Sequence, residues 1–352
     1  MMKSTYKNGE VDILLKDITG LVEPLGTKER EQRIQTGTHY CEMLPLEYKP
    51  SPGYMEAYEA ALEHFGKTTA LAVGRAAEKI YRAKGKEGVL VSLARAGIPA
   101  GVLIRRYLKN KYDTELPHYA ISIIRGRGID HNAVNYILER HKPWQIQFLD
   151  GWVGKGAIYG ELKKALKDWP DIDPSLAVLS DPANLTALCG THEDILIPSS
   201  CLNATVTGLI SRTFLRSDII GEHDFHGAAF YGELEQEDLT NIYLDQIEEQ
   251  FDYEASWQET GFPADGQEVV KNIASVYRIK DQNFIKPGIG EATRVLLRRM
   301  PWKLLISPEY ENSEELRHLV RLAAEKRVPI EPSLISLGSY KACGLIKNIA
   351  DA

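Results

Sequence analysis

A chain of 352 residues with 43% hydrophobic and 26% charged side chains has room for two domains and the composition of an ordinary globular protein. Its net charge of −7 is unevenly spread: residues 266–352 hold 14 Lys+Arg against 10 Asp+Glu, a net of +4, and the remainder carries −11, which predicts two modules with different partners. No apolar run is long enough to span a bilayer, the N-terminus lacks the apolar core of a signal peptide, and the expected compartment is the cytoplasm.

From the N-terminus, Tyr54 to Lys84 carries Leu62, Phe65, Ala72, Val73, Ala76 and Ile80 at helical spacing. Residues 88–93 read as a buried strand, and the glycine turn at 94–101 opens a helix over Val102–Lys111. A second strand, 118–124, ends in Arg125-Gly-Arg-Gly-Ile-Asp130, followed by a polar segment to His141 that is helical or mobile. A third apolar run ends in Asp150; three glycines come within the next six residues, and an amphipathic helix pattern spans Ala157–Trp169. Further on, Leu179–Thr186 ends a strand and contains Asp181 and Asn184, and Asp194 opens another strand. The small polar turn after it holds Ser199, Ser200, Asn203 and Thr205, which either cap a following helix or receive a nucleophilic base. Strands alternating with helices predict a parallel sheet with ligands at its carboxyl edge. The module boundary is expected in Ser256–Gly266, which is rich in turn formers.

Three successive strand ends bear cationic or glycine-rich loops: Arg95 with Ala96 and Gly97, Arg125 with Arg127, and Asp150 with Gly151, Val153, Gly154, Lys155, Gly156 and Ala157. A glycine turn at a helix start directs backbone N–H groups at one point, where a phosphate can sit. The acid beside it suits a ribose hydroxyl or a hydrated Mg²⁺. Neither G-x-x-x-x-G-K-[ST] nor G-x-G-x-x-G is present, so the Walker and Rossmann readings lose their main support. The four cysteines (Cys41, Cys189, Cys201, Cys343) form no C-x-x-C pair, which argues against disulfides and structural zinc. Cys201 is a nucleophile candidate, although no sequence context pairs it with one of the nine histidines.

The loop order resembles a type I phosphoribosyltransferase. Ser92-Leu-Ala-Arg-Ala-Gly97 is similar to that family's pyrophosphate loop, Arg125–Asp130 occupies the flexible-loop position, and Phe148–Gly156 matches the 5-phosphate loop. The family's paired acids and threonines are replaced here by a lone Asp150, Val153 and Gly156. The resemblance implies that Arg95, Arg125, Arg127 and Asp150 carry catalysis. Asp150 would hold Mg²⁺, and Ser199, Ser200 and Asn203 would contribute to substrate binding. In that fold an added hood recognises the acceptor, for which His39, Tyr40 and Glu42 and the later His223-Asp-Phe-His226 are the candidates.

In the basic module, Lys286-Pro-Gly-Ile-Gly-Glu-Ala-Thr-Arg294 enters a helix that continues to Arg298. Trp302–Ile306 reads as a strand, Glu314–Lys326 as a helix and Val328–Ile330 as a short strand, while Tyr340–Gly344 opens a final helix. This unit resembles the Pelota and ribosomal-protein RNA-binding domains, whose G-x-N-E-x-x-K/R turn it matches at Glu291 and Arg294, with Gly290 in place of the asparagine. The resemblance implies RNA contacts by Lys286, Gly288, Gly290, Glu291, Arg294 and Arg298.

From about residue 10 onward the chain is similar to the phosphoribosyltransferase–Pelota fusions of tellurium-resistance and stress operons, a family also described as StiP cysteine proteases. The shared segments include Gly37–Pro45, Ser92–Gly97, Phe148–Trp152 and Ile197–Asn203. The expected architecture is an α/β phosphoribosyltransferase-like parallel sheet (85–255) with an N-terminal helical hood (1–84), a linker (256–283) and a small αβα Pelota-like domain (284–352). The expected function is an Mg²⁺-dependent phosphoribosyltransferase. Its partners would be phosphoribosyl pyrophosphate, an unidentified base or nucleotide acceptor, and structured RNA, with homodimer formation left open. The alternatives are a non-catalytic RNA-binding sensor of phosphoribosyl ligands and, as the poorer reading, a cysteine protease.

Overall fold

The computed structural model of the protein describes residues 2–256 and 266–347, so most of the boundary expected at 256–266 lies outside the described residues. The larger part runs β1 (Asp12–Ile13), α1 (Thr27–Gln35), α2 (Pro52–Lys84), β2 (Val89–Leu93), α3 (Gly97–Tyr112), β3 (His118–Ile121), α4 (His131–Leu138), β4 (Ile146–Trp152), α5 (Ala157–Ala165), β5 (Leu176–Ser180), β6 (Cys189–Thr191) and α6 (Thr240–Glu248). The six strands just named form one sheet in the order β1-β3-β2-β4-β5-β6, with every pairing parallel. All five residues of β2 are buried, as expected for a strand covered on both faces.

The order of strand addition reverses at β2, which pairs with β3 on one side and β4 on the other. The loops after β2 and β4 therefore flank one crevice at the carboxyl edge. They also touch, since a Cβ at Gly97 would lie 2.6 Å from the Leu149 carbonyl oxygen. Glycine at 97 is thus a requirement of close approach. Beside them, Ile123–Ile124 and Gly128–Ile129 form a short antiparallel hairpin that carries Arg125 and Arg127 in its turn.

The 33-residue α2 starts with Pro52 in its first turn and ends at Gly85, whose φ of +63° suits glycine. Its buried face is dominated by small residues, including Ala57, Ala61, Ala70, Ala72, Ala76 and Ala77. That lets the helix lie directly on β6, where a Cβ at Gly190 would come within 2.2 Å of the Ala72 carbonyl.

The C-terminal part contains α7 (Gly266–Val276), β7 (Ile285–Pro287), α8 (Ile289–Arg298), β8 (Pro301–Ile306), α9 (Arg317–Glu325), β9 (Ile330–Pro332) and β10 (Ala342–Ile346). Helix α7 lies within the stretch expected as a linker, and its Val269, Val270 and Ile273 are buried. The mixed sheet has the order β7-β10-β8-β9. The last segment is a correction: residues expected to open a helix form β10, a central strand between β7 and β8. A fully buried run of five small and apolar residues has no helical or strand periodicity to read.

A second correction concerns Asp194–Ile197, which makes no strand; the ladder ends at β6. Instead the Asp194 carboxylate accepts the N–H groups of Ile289 and Lys341, each at 2.9 Å, and so draws this segment toward the C-terminal part. Only two short 3₁₀ turns follow, Pro198–Cys201 and Ala204–Val206, and neither carries a side-chain cap. The capping role expected of Ser199, Ser200, Asn203 and Thr205 is therefore absent from these turns. The two parts share one apolar cluster in which Leu196 and Ile197 join Ile289 and Leu296.

Candidate functional site

A cleft of about 680 Å³ opens over the carboxyl edge of the sheet, bounded by α1, the loops after β2 and β4, and α8. Ten Lys and Arg residues line it against five Asp and Glu. That excess of cations sits in a chain whose total charge is −7.

The three loops predicted from sequence do converge here, but many of their groups are already engaged. Arg95 donates to the Asn203 side-chain oxygen at 2.7 Å and the Ile210 carbonyl at 2.8 Å, and pairs with Glu47 at 3.3 Å. Ala96 lines the cleft, and Gly97 is buried against β4. Arg125 reaches the Asn283 side chain at 2.8 Å, and Arg127 pairs with Glu42 at 2.8 Å. The Gly151 N–H donates to Asp150 at 2.7 Å, and the Val153 N–H to the Ser180 carbonyl at 2.9 Å, so neither amide points to a ligand. Gly154 accepts from the Tyr340 hydroxyl at 2.6 Å. Lys155 turns toward the Ile285 carbonyl, and burial lowers its pKa to about 8. Gly156, at φ +83°, precedes Ala157 at the start of α5.

Burial raises Asp150 to about 7, against the pull of its Gly151 hydrogen bond. Among the described residues no group of three His, Cys, Asp or Glu side chains is placed to hold a metal ion. Asp150 is the lone acid of its loop, so a divalent ion there would have to take its remaining oxygen ligands from water or substrate.

The expected RNA-facing turn is folded into the junction of the two parts. Gly288, Ile289 and Gly290 are buried, and Gly290 faces Trp152 and the buried Ser200. Glu291 pairs with Arg294 at 3.2 Å and with Lys286 at 3.9 Å, while Arg298 donates to the Ser200 carbonyl at 3.2 Å. Ser199 remains half-buried.

The cysteines separate clearly. Cys201 is completely buried; its thiol donates to the Ala57 carbonyl at 3.7 Å, and burial pushes it up to about 12. Cys343 lies inside β10. Cys189 meets His192 Nε2 at 3.3 Å, and His192 Nδ1 donates to the Asp181 carbonyl at 3.0 Å; neither this pair nor Cys41 and His39 line the cleft, but Tyr40, between the latter two in sequence, does.

Cys41 meets His39 Nδ1 at 2.9 Å, and the other ring nitrogen of His39 lies 3.1 Å from the Arg125 carbonyl. A carbonyl only accepts, so Nε2 carries the proton and Nδ1 is the basic nitrogen facing the thiol. The contact arises locally. His39 precedes the 3₁₀ turn Tyr40–Glu42, and its Nδ1 also accepts the Cys41 N–H at 3.4 Å. Burial raises the Cys41 thiol to about 11 despite Arg127, and burial lowers His39, so the pair rests as neutral thiol and neutral imidazole. Tyr40 lines the cleft, lies 4.5 Å from the His39 ring centre to centre, and accepts the Arg125 N–H at 2.9 Å.

The acceptor-recognition candidates His39, Tyr40 and Glu42 thus all touch the Arg125–Arg127 turn. The other candidate group is dispersed: Asp224 pairs with Lys16, and His226 is buried against Ser122. Sequence reasoning named His39 but missed its pairing with Cys41, for which the His-x-Cys spacing at a turn was the available signal. Arg30, Arg212 and Arg299 also line the cleft, and no motif marked them.

Comparison with known proteins gives two matches along the chain. Residues 4–248 match a family described as tellurite-like stress resistance cysteine protease StiP, and residues 264–348 match the PELOTA RNA binding domain. A relative from Acinetobacter baylyi, named cysteine protease StiP, is 34% identical over 98% of this chain and 94% of its own length. These matches overturn the phosphoribosyltransferase expectation, which rested on the order of three loops. They support the stress-resistance context and an enzyme family of a different class. No helix among the described residues is long and apolar enough to cross a membrane. With the model match covering most of the larger part and the relative aligned nearly end to end, the chain belongs to the StiP family of tellurite-like stress-resistance cysteine proteases.

Proposed function

We propose that this protein is a thiol peptidase in which Cys41 is the nucleophile and His39 its base. The observation that carries the reading is the 2.9 Å contact between Cys41 Sγ and His39 Nδ1, with Nε2 held by the Arg125 carbonyl. Nucleophile, base and orienting group then stand in the order that thiol catalysis requires. Its family and the name of its Acinetobacter relative support the same chemistry.

In the proposed reaction the sulfur attacks a peptide carbonyl carbon while its proton passes to His39 Nδ1. That proton next goes to the departing amine nitrogen as the C–N bond breaks, leaving a thioester. Water attacks the thioester, giving its proton to His39, and the thiol is restored. The buried sulfur needs access, so Tyr40 must move aside when a peptide enters, while the Arg125 carbonyl stays on His39 Nε2.

Hydrolysis of a mixed peptide library by the full chain tests this reading. Cys41→Ser and His39→Ala are each expected to lower the rate by roughly a thousandfold or more. Hydrolysis at the native rate by Cys41→Ser would overturn it.

For the C-terminal part, the match to the PELOTA RNA binding domain and its net charge of +4 support RNA binding. Lys286, Glu291 and Arg294 are the exposed or half-buried groups of the expected RNA-facing turn and would make the contacts.

A further inference from the structure

The cleft holds positive charge that its own acids do not neutralise. Arg299 is matched by Glu31 through contacts of 3.0 and 2.7 Å, and Arg95 by Glu47 and Asn203. Arg30, Arg212 and Arg298 have no carboxylate at ion-pair distance among the described residues. The Nε atoms of Arg30 and Arg298 are buried without a hydrogen-bond partner, and among the described residues Arg298 otherwise meets only uncharged main-chain oxygens, the Ser200 carbonyl at 3.2 Å and the Leu202 carbonyl at 2.5 Å. The Arg212 guanidinium lies 5.6 Å from the centre of the Tyr40 ring and, among the described residues, makes no hydrogen bond or ion pair. Burial, together with repulsion from Arg30, Arg95 and Arg299, lowers Arg212 to about 9. Partly desolvated cations without a counter-charge are costly to hold in a folded protein, and a bound anion relieves that cost.

Charge decides what kind of anion fits. One carboxylate would leave two of the three guanidiniums uncompensated. A phosphoryl group brings a charge of about −1.5 to −2 and three acceptor oxygens, which guanidinium forks match well. A cleft of about 680 Å³ also has the dimensions of a small-ligand site.

We propose that Arg30, Arg212 and Arg298 form a binding site for a small phosphorylated ligand. The three residues come from α1, from the segment between β6 and α6, and from α8. A ligand held by all three ties the C-terminal part to the larger one. The site stands apart from the peptidase reading, because none of its three arginines hydrogen-bonds Cys41 or His39.

The test is thermal unfolding of the full chain with inorganic phosphate, pyrophosphate or acetate at matched ionic strength. Phosphate and pyrophosphate should raise the midpoint and acetate should not. Arg212→Gln should abolish the shift and raise the midpoint of the ligand-free protein, whereas Cys41→Ser should shift like the native chain. Equal shifts with acetate, or a full shift retained by Arg212→Gln, would overturn the site. Should that variant not fold, phenylglyoxal labelling of the native chain replaces it. Pyrophosphate should slow modification of Arg30 and Arg212 several-fold, and the absence of protection would overturn the site. Binding of a 5′-phosphorylated oligoribonucleotide without binding of either free anion would likewise refute a small-ligand site.

Discussion

Asp194 of the larger part accepts the N–H of Ile289, at the first turn of α8, with both carboxylate oxygens, at 2.9 and 3.1 Å. Its second oxygen also takes the Lys341 N–H, so one buried side chain anchors two segments of the C-terminal part.

Asp194→Ala leaves both N–H groups without that acceptor, at a cost of about 1–3 kcal/mol for each one kept from water. The expected result is loosened docking, read as faster hydrogen exchange in α8 and β10 against unchanged exchange in β2 and β4. Because the expected RNA-facing turn is buried at this junction, the variant should also bind a kinked RNA more tightly than the native chain. Changing Glu291 and Arg294 to alanine should weaken that binding. RNA affinity unaffected by all of these changes would exclude the α8 face.

The same carboxyl gives a pH dependence of known sign. Burial raises Asp194 from 3.8 to about 6, so the folded chain keeps a proton that the unfolded chain releases. Its favourable contribution is full below the unfolded value and is lost as pH rises through the folded one. Asp194→Asn should remove that slope. Urea unfolding across this interval checks it: parallel stability curves for native chain and variant would count against the assignment.

Catalysis should follow His39 on the acid side. Burial holds His39 below its ordinary value of 6.5, so kcat/KM is expected to stay level down to that pH and to fall only at lower pH. An acid limb above the ordinary histidine value would mean that another group supplies the base.

Cys201 should be dispensable for the reaction. Cys201→Ala is expected to leave peptide hydrolysis near the native rate and to cost about 1 kcal/mol of stability through lost packing. Loss of activity in a variant whose midpoint is unchanged would move the nucleophile from Cys41 to Cys201.

Gly190→Ala should be among the most damaging small substitutions, because its Cβ meets backbone in α2, which cannot rotate away as a side chain can. Overpacking of this kind costs about 1–3 kcal/mol or more. A thermal midpoint equal to the native one would show that α2 is free to shift on the sheet.

Residues 88–93 and 157–169 carried strong local patterns, and the corresponding β2 and α5 formed close to the expected places. The convergence of Arg95, Arg125 and Asp150 on one edge also followed from alternation of strands and helices. What those loops do did not follow, because the hydrogen bonds that occupy Arg95 and the Gly151 and Val153 amides come from partners no motif marks. The Cys41–His39 contact depends on a turn only three residues long, below the reach of periodicity. Arg30, Arg212 and Arg298 are distant in sequence, and only the folded chain makes them neighbours of one cleft. The helix expected to open at Tyr340–Gly344 is instead the strand Ala342–Ile346, where every side chain is buried, which erases the alternation that identifies a strand.

The proton on His39 is directed by a main-chain oxygen, that of Arg125, rather than by a side chain. No substitution at position 125 deletes that oxygen; only an excursion of the hairpin turn takes it away. Once freed, the imidazole can exchange tautomers and present an N–H to the sulfur, which turns the base into a donor. The reactivity of Cys41 would then report where the backbone of one small turn stands, whatever side chains decorate it.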